Sequence, residues 1–208
     1  MRTYVYVEGG GSGPDSSELD ISCRRAFGLL LESSGFRGRK PRIVPCGGRR
    51  AVYDRFVTEH SRKAGTYVAI WIDSEEPMAD VYAAWDHLQN VKTVPKWKRP
   101  KGATDDQVLF MTTCMETWIV SDRSTLKEHY GNKLQETALP PIVDLEQRDR
   151  HEVQKKLILA TRNCSNPYAK GKHSYEILGK LRPAALEKLP SFVRIIAILN
   201  DKLQDGLE

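Results

Sequence analysis

The stretch "TYVAIWIDSEEP", residues 66–77, is an apolar run that ends in three carboxylates, Asp73, Glu75 and Glu76, within four positions. Two unit charges about 4 Å apart repel by roughly 4 kcal/mol at an effective dielectric of 20, and a plain turn is served as well by Ser, Asn or Gly. Such a cluster is either solvated or placed for a cation. Glu8 has the same setting at the end of the short alternating run "RTYVYVE", and Glu116 follows the apolar "DQVLFMTTC" in "CMETW". Glu8, Asp73 and Glu75 are hard oxygen donors of the kind that suits Mg2+ or Mn2+, which take a few carboxylates and keep positions for water and phosphate oxygens. Glu116 either completes this acidic set or is an acid favoured at a helix N-terminus by the macrodipole.

Positive charge is bunched. Net charge is +5 and the isoelectric point is near 9.0. The basic residues gather in "RGRKPR", in "GGRR" (Arg49, Arg50), in "KWKRPK" and in "YAKGKH" (Lys170, Lys172, His173). Each run alone reads equally as a solvated loop. Together with an acidic cluster they suggest a polyphosphate ligand, because Lys and Arg neutralise phosphates while carboxylates hold metal.

These groups need elements to position them. "RTYVYVE" predicts a strand ending at Glu8, followed by the glycine-rich "GGGSGPDSS" and a helix with Cys23, Phe27, Leu30 and Leu31 on one face. "PRIVPC" predicts a second strand, "GGRR" a turn, "AVYDRFVTEHSRKAG" a helix closed by Gly65, and "TYVAIWID" a third strand too uniformly apolar for a one-sided sheet. After a loop rich in Pro, Lys and Trp, "DQVLFMTTC" supplies a fourth strand. Beyond residue 115 the pattern is helical, in "METWIVSDRSTLKEHYG", "DLEQRDRHEVQKKLILATRN", "SYEILGKL" and "PSFVRIIAILNDKL"; in the last, Phe192, Ile195, Ile196, Leu199 and Leu203 mark a core face. The expected class is therefore α/β, a mostly parallel sheet flanked by helices over residues 1–135, with a helical extension over 136–208 packed on it and a junction near Pro140 and Pro141. Ligands of open parallel sheets bind outside the carboxyl ends of the strands. Glu8 and Asp73 fall on that edge.

Other classes are disfavoured. The 208-residue chain, 40% hydrophobic and 28% charged, holds no apolar run long enough for a membrane span, and its opening residues lack the apolar segment of a secretory signal, which predicts a cytoplasmic protein with no membrane partner. The four cysteines form no C-x-x-C pair, and the five histidines no H-x-x-x-H pair, so a zinc centre is not expected. "GGGSG" lacks the G-x-G-x-x-G spacing of a dinucleotide site, and no acid ends the second strand to hold a ribose.

With Glu8 in "YVYVEGGGSG" and Asp73 and Glu75 in "IWIDSEEP", the chain resembles the Toprim (topoisomerase–primase) domain, whose signature is a Glu after the first strand and an Asp-x-Asp after the third. Glu75 stands where the family has its second Asp. As a set, "VEGGGSG", "CGGRRAVYDRF", "DSEEP", "CMETW" and "YAKGKHS" are similar to uncharacterised bacterial Toprim-like proteins, the domain of unknown function 4276, over nearly the whole chain. The resemblance implies a Toprim-like fold and metal-dependent cleavage of phosphodiester bonds in DNA or RNA, as in phage-defence Toprim nucleases that work beside an ABC or AAA ATPase. It implies Mg2+ or Mn2+ on Glu8, Asp73 and Glu75, with Glu8 alternatively the general base. Glu116 and Lys170 would act in catalysis, and Arg49, Arg50, Lys170, Lys172 and His173 would meet nucleic acid. No G-x-x-x-x-G-K-[ST] occurs, so the ATPase would be a separate chain. A homodimer is compatible with this picture. The alternative is a degenerate Toprim module that acts as a binding subunit without catalysis.

Overall fold

Alternation along four short strands explains the layers. In the computed structural model, which describes residues 2–11, 16–62 and 65–204, β1 (Arg2–Val7), β2 (Arg42–Pro45), β3 (Thr66–Asp73) and β4 (Val108–Met111) form one sheet in the order β2-β1-β3-β4. Every pairing is parallel. Successive strand side chains point to opposite faces, and here both faces are covered. Val5, Val7, Ala69, Trp71, Leu109 and Met111 pack with one apolar cluster, while Tyr6, Val68, Ile70, Ile72, Val108 and Phe110 pack with another. That is why β3 is apolar throughout, as a parallel strand buried on both sides must be.

The second cluster is capped by α2 (Arg49–Arg62) through Val52 and Phe56 and by α3 (Ala84–Asn90) through Trp85 and Leu88. The first is built from α1 (Ser16–Leu31), α4 (Met115–Ser121), α5 (Arg123–Tyr130), α6 (Arg150–Thr161), α7 (Lys172–Leu178), α8 (Pro183–Leu186) and α9 (Pro190–Gln204). Residues beyond 136 thus share a core with the sheet. Phe192, Ile195 and Leu199 are buried in it, and Ile196 and Leu203 pack partly buried against it. Helix α9 also covers the exposed side of β4, where the buried Arg194 donates to the carbonyls of Val108 (2.8 Å) and Asp105 (2.6 Å). Those acceptors sit at an edge that would otherwise be open to pairing. The architecture is the expected α/β class, a parallel sheet flanked by helices, consistent with a Toprim-like fold.

Several boundaries differ from the sequence pattern, each for a local reason. Arg49 already opens α2, so the second half of "GGRR" is helix rather than turn. The helix expected over "METWIVSDRSTLKEHYG" breaks at Asp122, whose side chain accepts from the Thr125 N–H (3.0 Å) and caps α5. The next one starts only at Arg150, where Asp149 accepts from the N–H groups of His151 (2.9 Å) and Glu152 (3.0 Å). Helix α3 lies in the stretch read as loop. Residues 12–15 of the glycine-rich run and 63–64 before Gly65 lie outside the described residues.

Candidate active site

Two neighbouring strands deliver two acids to one edge. Glu8 follows β1 and donates its N–H to the Trp71 carbonyl (3.0 Å), while Asp73 closes the adjacent β3 opposite Met111 of β4. The Asp73 carboxylate accepts from the Met115 N–H (2.9 Å) at the start of α4, and Arg49 donates to the Asp73 carbonyl (2.7 Å). Past Asp73 the chain keeps to the end of β4, with Ser74 N–H on the Met111 carbonyl (3.2 Å) and Glu75 N–H on the Thr113 carbonyl (2.9 Å). Glu75 adopts φ 73°, a left-handed conformation uncommon for a residue with a side chain and concentrated at functional sites. It turns the buried Glu75 carboxylate between two guanidiniums: Arg49 Nη1 lies 3.8 Å away, and Arg150 Nη1, from the first turn of α6, pairs with its other oxygen. Glu76 turns aside and accepts from the N–H groups of Lys92 (2.8 Å) and Thr93 (2.7 Å).

Glu116 arrives on the first turn of α4 and is only 2% exposed. Its carboxylate accepts from the Tyr168 hydroxyl (2.9 Å) and the Gln154 amide (3.3 Å), with Lys170 Nζ at 3.7 Å. A buried carboxylate costs stability unless it is paired or hydrogen-bonded, and these partners, from α6 and the loop before α7, meet that cost.

The charges do not balance around Asp73. Burial, then repulsion from Glu8 and Glu116, pushes its carboxyl up to about 8, although Arg150 and Lys170 pull the other way. Burial likewise raises Glu8 above the usual carboxylate range against the opposing pull of Arg49 and Arg150. Burial lowers Arg49, which Glu8 and Asp73 partly offset. A carboxyl raised by burial and by two acidic neighbours at a sheet end is what a cation would relieve.

The glycine-bearing motifs meet here by contact. Gly9 and Gly47 exchange backbone hydrogen bonds of 2.8 and 2.7 Å, tying "VEGGG" to "CGGRR". Gly10 donates to the Tyr175 hydroxyl (2.9 Å). A Cβ on Gly9, at φ 143°, would stand 2.2 Å from that hydroxyl, so the close approach requires glycine. The loop after β1 is thereby pinned to α7.

Of the residues expected to meet nucleic acid, Arg49 and Lys170 join the acids. Arg50 is exposed and pairs with Asp54 at 2.9 Å. Lys172 lies along a groove between α1 and α7 with Ser22 and Arg25, and His173 Nδ1 sits 3.3 Å from the Pro167 carbonyl. Arg150, Gln154 and Tyr168 were not anticipated. Tyr168 is the first residue of "YAKGKHS", whereas Arg150 sits in the charged run "QRDRHE", where nothing distinguishes it from a solvated helix residue.

A family model described as "Domain of unknown function (DUF4276)" matches residues 39–200. The chain belongs to this family. No curated protein and no solved structure matches it. The DUF4276 match spans Arg49, Asp73, Glu75, Glu116, Arg150 and Lys170 and begins after Glu8.

Whether the DUF4276 site suits a divalent cation can be judged from its donors. Glu8 Oε2 is buried with Arg49 Nη1 at 3.8 Å and no hydrogen-bond partner, and Asp73 is raised by burial and then by its acidic neighbours. Both fit a cation. Glu75 and Glu116 are already engaged by cations and hydrogen-bond donors. Among the described residues, no group of three or more His, Cys, Asp or Glu is arranged as a ready metal cage. Glu8, Asp73 and Glu75 thus do not come together as one set; Glu8 and Asp73 are the donors left, and Mg2+ commonly takes one or two carboxylates with water and phosphate oxygens.

Proposed function

We propose that this chain is a metal-dependent nuclease hydrolysing phosphodiester bonds of DNA or RNA, an effector of anti-phage defence that works with a separate ATPase. The observation that carries the proposal is the meeting of Glu8, Asp73 and Glu116 with Arg49, Arg150 and Lys170 at the carboxyl end of a parallel sheet. Glu8 and Asp73 would hold Mg2+ or Mn2+. Such an ion, when bound, polarises a phosphoryl oxygen and activates water. Glu8, whose carboxyl burial raises, is the candidate general base if it is not committed to the ion. Lys170, more than half exposed beside the buried Glu116, would meet the charge of the phosphate at the mouth of the site. Glu116 would fix Lys170 and, through repulsion, keep Asp73 in need of a cation.

The purified chain, alone and with its ATPase, should cleave DNA, RNA or tRNA in Mn2+ or Mg2+ and lose that activity in EDTA. Absence of cleavage of all three under both conditions contradicts the proposal. One observation favours the second reading, a Toprim module that binds without cutting: Glu75 and Glu116 are both engaged by protein partners. Tight metal-dependent nucleic-acid binding without cleavage would select it. No helix among the described residues is long and apolar enough to cross a membrane.

A further inference from the structure

The two arginines that flank Glu75 are bound on one side only. Arg49 uses Nη1 for the Asp73 carbonyl and for the carboxylates of Glu8 and Glu75, while its Nε and Nη2 are buried without an acceptor. Arg150 uses Nη1 for Glu75, and its Nε is also buried without an acceptor. Buried donors of this kind are normally paired in native proteins. The Arg49 guanidinium and the backbone of Arg150 are nonetheless held in place. Arg49 lies over the Trp97 ring at 4.7 Å, Trp97 stacks on Tyr53 at 4.7 Å, and Arg150 is fixed to α6 just after the Asp149 cap. A planar guanidinium with free N–H groups fits an oxyanion that offers two oxygens from one centre. Glu75 presents that shape from within the protein.

We propose that Arg49 and Arg150 form the oxyanion site for the substrate phosphodiester, that Glu75 fills it in the resting protein as an internal stand-in, and that the arriving phosphodiester frees Glu75. This rests on the reading of the edge as a metal-dependent phosphodiester site. The freed carboxylate adds negative charge beside Glu8 and Asp73, so anion and divalent cation bind with positive linkage. By the same linkage the cation raises affinity for the anion. The device would keep the metal weakly held until a phosphodiester is present. A merely structural Glu75, locked between its arginines, predicts no linkage.

Dimethyl phosphate tests this, since it is a phosphodiester without base or sugar. Titrated by calorimetry in EDTA, it should bind wild type weakly and Glu75→Gln about tenfold more tightly or better, because the competing carboxylate is gone. Arg150→Gln and Arg49→Gln should not bind it, and Arg150→Lys, which keeps the charge but not the fork, should lose most affinity. Circular dichroism establishes that each variant is folded. Mn2+ affinity, followed by the free-ion electron paramagnetic resonance signal, should rise about fivefold or more with dimethyl phosphate in wild type, and not in Arg150→Lys or Glu75→Gln. Anion binding indifferent to Glu75 and Arg150, or Mn2+ affinity unchanged by the anion in wild type, overturns the proposal. Nucleic-acid cleavage separates the two ideas. Linkage without cleavage removes the nuclease reading and leaves the clamp, whereas cleavage without linkage removes the clamp alone.

Discussion

Asp73 and Asp122 are both aspartates at the margin of α4, one before it and one after, and their surroundings oppose each other. Asp122 is burdened by burial, but it accepts from Thr125 N–H (3.0 Å), Thr125 hydroxyl (2.7 Å), Arg182 N–H (2.9 Å) and the Arg182 guanidinium (2.7 Å), which together hold its carboxyl down at about 2. Asp73 accepts from one N–H, faces Glu8 and Glu116, and is pushed up to about 8. The first is a finished structural joint between α5 and the turn before α8. The second keeps one hydrogen bond and is opposed by like charges. Burial alone does not distinguish the two aspartates, whereas the completeness of their partners does.

The largest effect expected from this contrast is on activity. Asp73→Asn should lower the nucleolytic rate by at least about 100-fold, the scale on which a single electrostatic stabiliser acts, with the fold intact by circular dichroism. An Asp73→Asn protein that cleaves at the wild-type rate would erase the distinction from that side. Asp122→Ala should leave the chemistry and remove stability, by about 1 to 3 kcal/mol in urea unfolding, because the Thr125 N–H and hydroxyl lose their acceptor while the half-exposed Arg182 can turn to water. The Asp122 contribution is present above pH 3.8 and is lost as the pH falls through about 2.

Glu146 sharpens the comparison, since it is buried and raised yet lies outside the site. It is 5% exposed, and burial pushes it up to about 7 although the Ser191 hydroxyl and N–H at the start of α9 oppose the shift. Its folded pKa lies above the unfolded value of 4.5, so the folded state holds a proton that the unfolded state has released, and stability falls as the pH rises from about 4.5 to 7. That fall is about 3 kcal/mol at most. Glu146→Gln should flatten it and keep cleavage activity; unfolding midpoints at several pH values measure the first and a cleavage assay the second. The smallest effect is expected at Arg50, whose exposed pair with Asp54 follows helical i, i+4 spacing. Arg50→Ala should change stability by less than about 0.5 kcal/mol, while its salt-dependent affinity for nucleic acid reports whether this exposed cation meets the ligand at all.

What could be read from the chain depended on whether the signal was local. The apolar, two-sided run of "TYVAIWID" predicts a parallel strand covered on both faces, and the terminal helix follows from Phe192, Ile195 and Leu199, because both patterns lie within one element. The placing of Glu8 and Asp73 on one sheet edge follows from strand order, which the βαβ pattern restricts strongly. Arg150 and Gln154 escaped notice because they reach the site from α6, far along the chain, in a segment whose composition is that of any solvated helix. Asp122 looked like a mid-helix residue because its capping role depends on a turn and on Arg182, 60 residues away. The joint role of "VEGGG", "CGGRR" and the tyrosines of "YAKGKHSY" becomes intelligible only when Gly9, Gly47, Tyr168 and Tyr175 are seen in contact with the site or its supporting loop.

Asp73, kept from ionising by burial and by Glu8 and Glu116, carries the central claim, and melting curves of wild type and Asp73→Asn, each in EDTA and in Mn2+, measure it. In EDTA near neutral pH the variant should melt higher, because it no longer needs a proton or a cation to sit beside Glu8 and Glu116. Mn2+ should raise the wild-type midpoint by binding the native state alone, and should raise that of the variant much less. Equal midpoints in EDTA together with equal responses to Mn2+ would contradict the claim that this sheet edge is built around a cation.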